Sequence, residues 1–323
     1  MNNVTIVMYH YIRDLKNSRY PDIKALDLAL FREQIAYIEK HYNPVTAAEV
    51  MHAVKTGDKL PSKAALLTFD DAYSDHFMTA FPILDKAKIQ GCFFPPAKCI
   101  THNEILDVNK IHFILASVPN PQELIEFINA ALEIYADQYE LSTAQDYWSR
   151  IAKPTRYDPA EIIYIKRMLQ RELPEDLRNI LTDEIFQKYV SSDQTAFSAE
   201  LYMNVDQISH MQRNGMYVGS HGFDHYWLNS LSREKQEQEI DASLEFLELV
   251  GAPTDDWMMC YPYGGYNDDT LDILREKECR LGLTTHVGIA DLDVHGPLVL
   301  PRLDTNDLPK DSSAAPSQWT IDA

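Results

Sequence analysis

The stretch Ala65-Leu66-Leu67-Thr68-Phe69-Asp70-Asp71 constrains this chain more than any other. Its apolar run is continuous rather than alternating, the pattern of a strand buried on both faces in a parallel sheet wrapped by helices. The run then stops at two adjacent carboxylates. Side by side at a strand end, two acids repel each other unless a cation or a shared proton relieves them. The C-terminal ends of strands are also where α/β folds hold their chemistry. The pair therefore points to a cation and to further side chains that hold it. The plainer use of the same two acids is an N-cap on the next helix with a solvated neighbour.

The rest of the chain reads around that strand. Val4 to Met8 is a short apolar strand ending in Tyr9-His10. Leu30, Phe31, Ile35 and Ile38 form a helical stripe over 30–41, and Thr46 caps a second helix that stops at Gly57. A helix from about Ser74 to Lys88 puts Phe77, Phe81 and Leu84 on one face, and Gly91 to Phe94 is a strand closed by Pro95-Pro96. This β-α-β rhythm is the signature of a parallel sheet. From about residue 104 to 200 the rhythm breaks into helical patterns (about 104–117, 121–137, 159–172 and 175–190) with no strand between them. That region reads as a helical insertion: a lid, an oligomer contact or a passive cap. Beyond it come a strand at 217–220, a helix from Ser232 to about Val250, a strand from Trp257 to Tyr261, a helix at about 268–278, and strands at 281–285 and 298–303. Expected, then, is one domain over 1–309 interrupted at about 104–200, with a mobile Ser/Ala/Pro-rich tail at 310–323.

Composition narrows the partners. The chain has 323 residues, a formal net charge of −20 and a pI of about 4.8. Nucleic acid and anionic membrane surfaces require a basic footprint, so neither is an expected partner. No run of about 18 apolar residues offers a membrane span. Cys92, Cys99, Cys260 and Cys279 lack the spacing of a structural zinc site or a disulfide framework. The N-terminal segment has neither a basic region nor a long apolar run of the signal-peptide kind. The expectation is a cytoplasmic protein with reduced thiols.

Two more stretches carry chemistry. His221-Gly222-Phe223-Asp224-His225 follows a strand, and imidazoles four apart converge on one metal if the segment turns helically. With Asp71 they make a His, His, carboxylate set, the ligand count of a catalytic zinc site with an open position. Asp70 is then left to take a proton from an activated water. A lone pair of surface histidines is the alternative. Tyr261-Pro262-Tyr263-Gly264-Gly265 is a tight turn after a strand that can aim an N–H at a forming oxyanion, or is an ordinary turn.

Taken in order, Thr68-Phe69-Asp70-Asp71, His221-Gly222-Phe223-Asp224-His225 and Tyr261-Pro262-Tyr263-Gly264 resemble the polysaccharide deacetylase (NodB-homology, carbohydrate esterase 4) family. Val7-Met8-Tyr9-His10 and Phe93-Phe94 are similar to flanking strands of that family. The resemblance covers about 4–100 and 204–305. It implies a distorted (β/α)7 TIM-like barrel and metal-dependent removal of acetyl from an N-acetylated sugar. Carried over residue by residue, it makes Asp70 the general base, Asp71, His221 and His225 the metal ligands, Tyr263 an oxyanion donor through its N–H, and a divalent ion, Zn²⁺ by default, the cofactor.

The chain also departs from the family's pattern. Cys260 stands where the family's base-orienting Arg begins the third motif, and Arg302 resembles an Arg near the C-terminal end of certain members. The late Leu-x-His motif that supplies the general acid is not evident. Some members carry their motifs in permuted order, which would bring His10 into that slot; His286 is the second choice. His-Gly instead of His-Ser/Thr removes a hydroxyl beside the first imidazole and would loosen the metal. Tyr226 and Trp227 offer an apolar wall for an acetyl methyl. Two other readings remain: hydrolysis of another C–N bond, such as a formamide or cyclic ureide, and an inactive carbohydrate-binding barrel.

Overall fold

A computed structural model describes residues 1–323. Seven strands carry the architecture: β1 (Asn3–Tyr9), β2 (Ala64–Asp70), β3 (Gly91–Phe94), β4 (Tyr217–Val218), β5 (Trp257–Cys260), β6 (Cys279–Val287) and β7 (Leu300–Asp304). Their order in the sheet is β4-β3-β2-β1-β7-β6-β5, and each of these neighbours pairs in parallel. The two ends of that path meet. Ser220, just after β4, bridges Met259 of β5, donating its N–H to Met258 O (3.0 Å) and accepting from the Cys260 N–H (2.9 Å). The strands thus close into the distorted (β/α)7 barrel that the motifs implied.

Alternation along the strands explains why they read as unbroken apolar runs. Val4 and Ile6, Ala64 and Leu66, Cys92 and Phe94, Met258 and Cys260, Leu281 and Leu283, and Leu300 form one buried cluster. The opposite faces are covered too: Tyr9, Phe69 and Phe93 stack on one another, and Phe31 meets Tyr9 edge-on. Two residues on from Leu66 come Thr68 and then Asp70, and two on from Leu300 comes Arg302. The inward face therefore turns from apolar to polar toward the strands' C-terminal ends. On β7 the register slips: Leu300 pairs with Leu283 but Arg302 with Val287. Pro301 between them has no N–H for the ladder, and the resulting bulge aims Arg302.

Helices α1 (Leu28–His41), α2 (Ala47–Thr56), α3 (Phe81–Ala87), α4 (Ala97–Thr101), α5 (Val205–Arg213), α6 (Arg233–Val250) and α7 (Asp268–Glu276) lie between successive strands, except that none separates β6 from β7. Thr46 and Glu49 form a capping box on α2, which ends at left-handed Gly57. The expected single helix from Ser74 to Lys88 is instead a π-helical turn, His76–Ala80, leading into α3. The extra residue changes which positions face inward. His76, Ala80 and Leu84 are fully buried, while Phe77 and Phe81 pack on His210 of α5.

The insertion is helical, as expected from its patterns. Ile105–Phe197 forms a compact unit of its own, and Leu15–Lys24, which the sequence did not associate with it, belongs to the same unit. The tail corrects another expectation. Instead of a mobile segment at 310–323, Gln318–Asp322 is a short helix, and buried Thr320 bonds the hydroxyls of Tyr37 (2.8 Å) and Tyr42 (3.0 Å). Small polar residues conceal such anchoring in the sequence, because a single bonded hydroxyl leaves no periodic trace. No helix is long and apolar enough to cross a membrane.

Candidate active site

Asp70 is the last residue of β2 and Asp71 the first beyond it. The backbone is left-handed at Asp71 (φ 75°), Ala72 (55°), His225 (57°) and Tyr263 (56°). Non-glycine residues rarely adopt this conformation, and its cost is borne where surrounding structure over-determines the turn. All three sequence motifs therefore turn the same unfavourable way, at residues expected to act.

Asp71 Oδ1 lies 3.5 Å from His221 Nε2 and 3.4 Å from His225 Nε2, with all three residues buried. One ligating atom from each falls within 4.8 Å of the others. Asp71 Oδ2 accepts a hydrogen bond from Tyr73 Oη (2.6 Å), but Oδ1 has no hydrogen-bond partner. A bare carboxylate oxygen away from water is costly, and a cation between it and two imidazoles removes that cost. His221 Nδ1 lies 2.7 Å from Cys260 O, which can only accept. Nδ1 therefore carries a proton, which leaves Nε2 as the atom that can turn to a metal ion. Burial works against the Asp71 charge, yet the two imidazoles hold its carboxyl well below the usual range. The donor set fits a divalent ion.

Asp70 faces a different set. Arg302 Nη1 donates to Asp70 Oδ1 (3.0 Å) and Nη2 to Oδ2 (2.9 Å), while Nε donates to Thr284 O and Nη1 also to Thr68 Oγ1. The thiol of Cys260 lies 3.3 Å from Asp70 Oδ2. Burial raises the Asp70 pKa, but Arg302, His221 and His10 outweigh it and hold it at about 2. His10 Nε2 approaches Asp70 Oδ2 to 4.0 Å, and its side chain is 40% exposed, so a ligand can reach it. His286 sits at the exposed end of β6 and makes no such approach.

Tyr263 lies against the second imidazole, its ring edge-on to His225 at 4.7 Å and stacked on Trp227 at 4.5 Å. Six of the residues singled out from the sequence, His10, Asp70, Asp71, His221, His225 and Arg302, thus converge, with Tyr263 beside them. Three neighbours carry no motif of their own. Tyr73 bonds Asp71. His76, buried below, donates from Nε2 to His10 O (2.8 Å). Glu239 of α6 accepts from the loop between the two imidazoles. The spacing of Tyr73 two residues after Asp71 was the only available signal.

The sequence profile of the polysaccharide deacetylases matches residues 185–282. This chain resembles a polysaccharide deacetylase. Over 85 residues it is 35% identical to the poly-beta-1,6-N-acetyl-D-glucosamine N-deacetylase of Escherichia coli K12, a match that takes in 26% of this chain and 12% of that enzyme. It is 22% identical over 291 residues to the Bacillus subtilis protein YxkH, named as a polysaccharide deacetylase, covering 89% of this chain and 66% of YxkH. The aligned part is thus a small fraction of the E. coli protein's length. Among solved structures, the Streptococcus pyogenes deacetylase PplD, in complex with acetate, superposes with a TM-score of 0.58 at 19% identity, covering 94% of this chain and 92% of PplD. At that identity the likeness to PplD is one of fold alone.

Proposed function

We propose that this protein hydrolyses the N-acetyl group of an N-acetylated sugar or glycan. The observation that carries the reading is the pair of neighbouring acids doing separate work: Asp71 Oδ1, bare and flanked by two imidazoles, and Asp70, held by a guanidinium beside His10. The profile match and the likeness to an N-acetylglucosamine deacetylase support that choice of substrate class.

Asp71, His221 and His225 would hold a divalent ion. Asp70 stays ionised at neutral pH but is a weak base, so the reading needs the Lewis acidity of such an ion, which makes a water more acidic and polarises a carbonyl. Asp70 takes a proton from the attacking water, and Arg302 fixes which way its oxygens point. The Tyr263 N–H donates to the oxygen on which negative charge develops. His10, reachable from solvent and next to Asp70, gives a proton to the leaving nitrogen, so that amide and water become acetate and amine. Trp227 and the Tyr263 ring, stacked beside His225, offer an apolar surface to the acetyl methyl.

The test is release of acetate, with growth of free amine, from N-acetylglucosamine oligomers by the purified protein. Loss of that release in chelator and in Asp70→Asn supports the reading. Full activity in either condition sinks it.

A further inference from the structure

The loop that presents the two imidazoles is held mainly by residues outside it. Gly222, at φ 75°, has no hydroxyl beside His221. Three successive amides of this loop need acceptors. The Gly222 N–H is taken by Ser220 Oγ (3.1 Å). The next two converge on one atom: Glu239 Oε2 accepts from Phe223 N (3.2 Å) and Asp224 N (2.9 Å). From the other side, the Ala97 and Lys98 amides donate to the Gly222 and Phe223 carbonyls (3.2 and 2.9 Å), and Lys98 Nζ pairs with Asp224 (2.7 Å). Glu239 is itself buried on α6, so its oxygen is fixed by packing rather than by solvent. A Cβ on Gly222 would come within 3.8 Å of the same oxygen.

We propose that Glu239 is a positioning residue for the metal centre, holding the 221–225 loop so that both Nε2 atoms face Asp71 and replacing the hydroxyl that Gly222 lacks. This rests on the reading of Asp71, His221 and His225 as metal ligands. The role belongs to where the oxygen sits, not to its charge. A glutamine in the same place keeps one oxygen able to accept both amides. An aspartate keeps the charge but withdraws the oxygen by a methylene.

The full-length protein is compared as wild type, Glu239→Ala, Glu239→Gln and Glu239→Asp. Zn²⁺ affinity is measured by competition with a chromophoric chelator, and amide exchange over 221–225 is followed in chelator-treated protein. Outer partners of metal ligands are typically worth about 10–100-fold in affinity. Expected is a loss of that size in E239A and E239D, faster exchange at Phe223 and Asp224 in both, and near-wild-type behaviour in E239Q. If E239A does not fold, E239D decides. Wild-type affinity and exchange in E239D, or a loss in E239Q as large as in E239A, overturns the proposal. Wild-type protein that binds no Zn²⁺ overturns the ligand assignment instead, and exchange in E239D then judges the clamp by itself.

Discussion

Arg302 reaches past β1 to close two parallel hydrogen bonds on Asp70, Nη1 to Oδ1 at 3.0 Å and Nη2 to Oδ2 at 2.9 Å. Both residues are buried, so the pair is an exchange of desolvation for a matched fork of donors and acceptors. Removing one partner leaves the other charged and stranded. Arg302→Ala should lower unfolding free energy by about 3–5 kcal/mol and reduce turnover with it. Arg302→Lys should recover little, because an ammonium cannot span both oxygens. Urea denaturation checks the first expectation, and a loss below about 1 kcal/mol would mean the pair behaves like a surface one.

Tyr73 bonds the carboxylate oxygen of Asp71 that the imidazoles do not face. Its hydroxyl orients the carboxylate, while its ring is held independently, stacked on Tyr11 at 3.8 Å between centroids. Tyr73→Phe should therefore leave the fold nearly unchanged and weaken Zn²⁺ binding by about 10–100-fold. Chelator competition measures it. Unchanged affinity would show that packing alone orients Asp71.

The two candidate proton donors are separable. His10 is 4.0 Å from Asp70 and fixed through its own carbonyl by His76, whereas His286 is exposed at a strand end. Acetate release should fall by about 10²–10⁴-fold in His10→Ala, the range for a lost general acid. In His286→Ala it should stay within severalfold. The reverse ranking would move the assignment to His286.

What the sequence reveals and what it hides follow different physics. The Ala65–Phe69 run announces a strand because both its faces are covered, and Asp70 and Asp71 stand out because charge interrupts an apolar run. His221 and His225 are legible because a glycine-bearing turn follows a strand. Their convergence with Asp71 is a statement about barrel closure through Ser220 and Met259, which no local pattern encodes. Arg302 was legible only by resemblance, since its aim depends on a bulge at Pro301. Glu239 and His76 sit on helices whose stripes look ordinary. Their importance lies in which distant backbone group each one meets. The π-turn at His76–Ala80 defeats a 3.6-residue reading in the same way, by adding one residue where periodicity assumes none.

Glu239 should also leave a signature in the pH dependence of stability. Burial lifts its pKa from 4.5 to about 7; Asp224 pushes in the same direction, while the Asp224 and Phe223 amides and Lys98 pull against it. An acid whose pKa is higher in the folded state binds its proton more tightly there. Its contribution to stability is present below pH 4.5 and is lost as pH rises through about 7. The shift corresponds to about 3 kcal/mol. Glutamine at this position keeps the acceptor and has nothing to titrate. Glu239→Gln should therefore gain on the wild type between about pH 4.5 and 8 by an amount of that order, with the difference flat above and below. Urea midpoints measured across that range, with chelator present so that metal binding plays no part, decide it. A difference independent of pH would mean that the carboxylate stays ionised throughout, and that the two loop amides and Lys98 stabilise its charge more than burial penalises it.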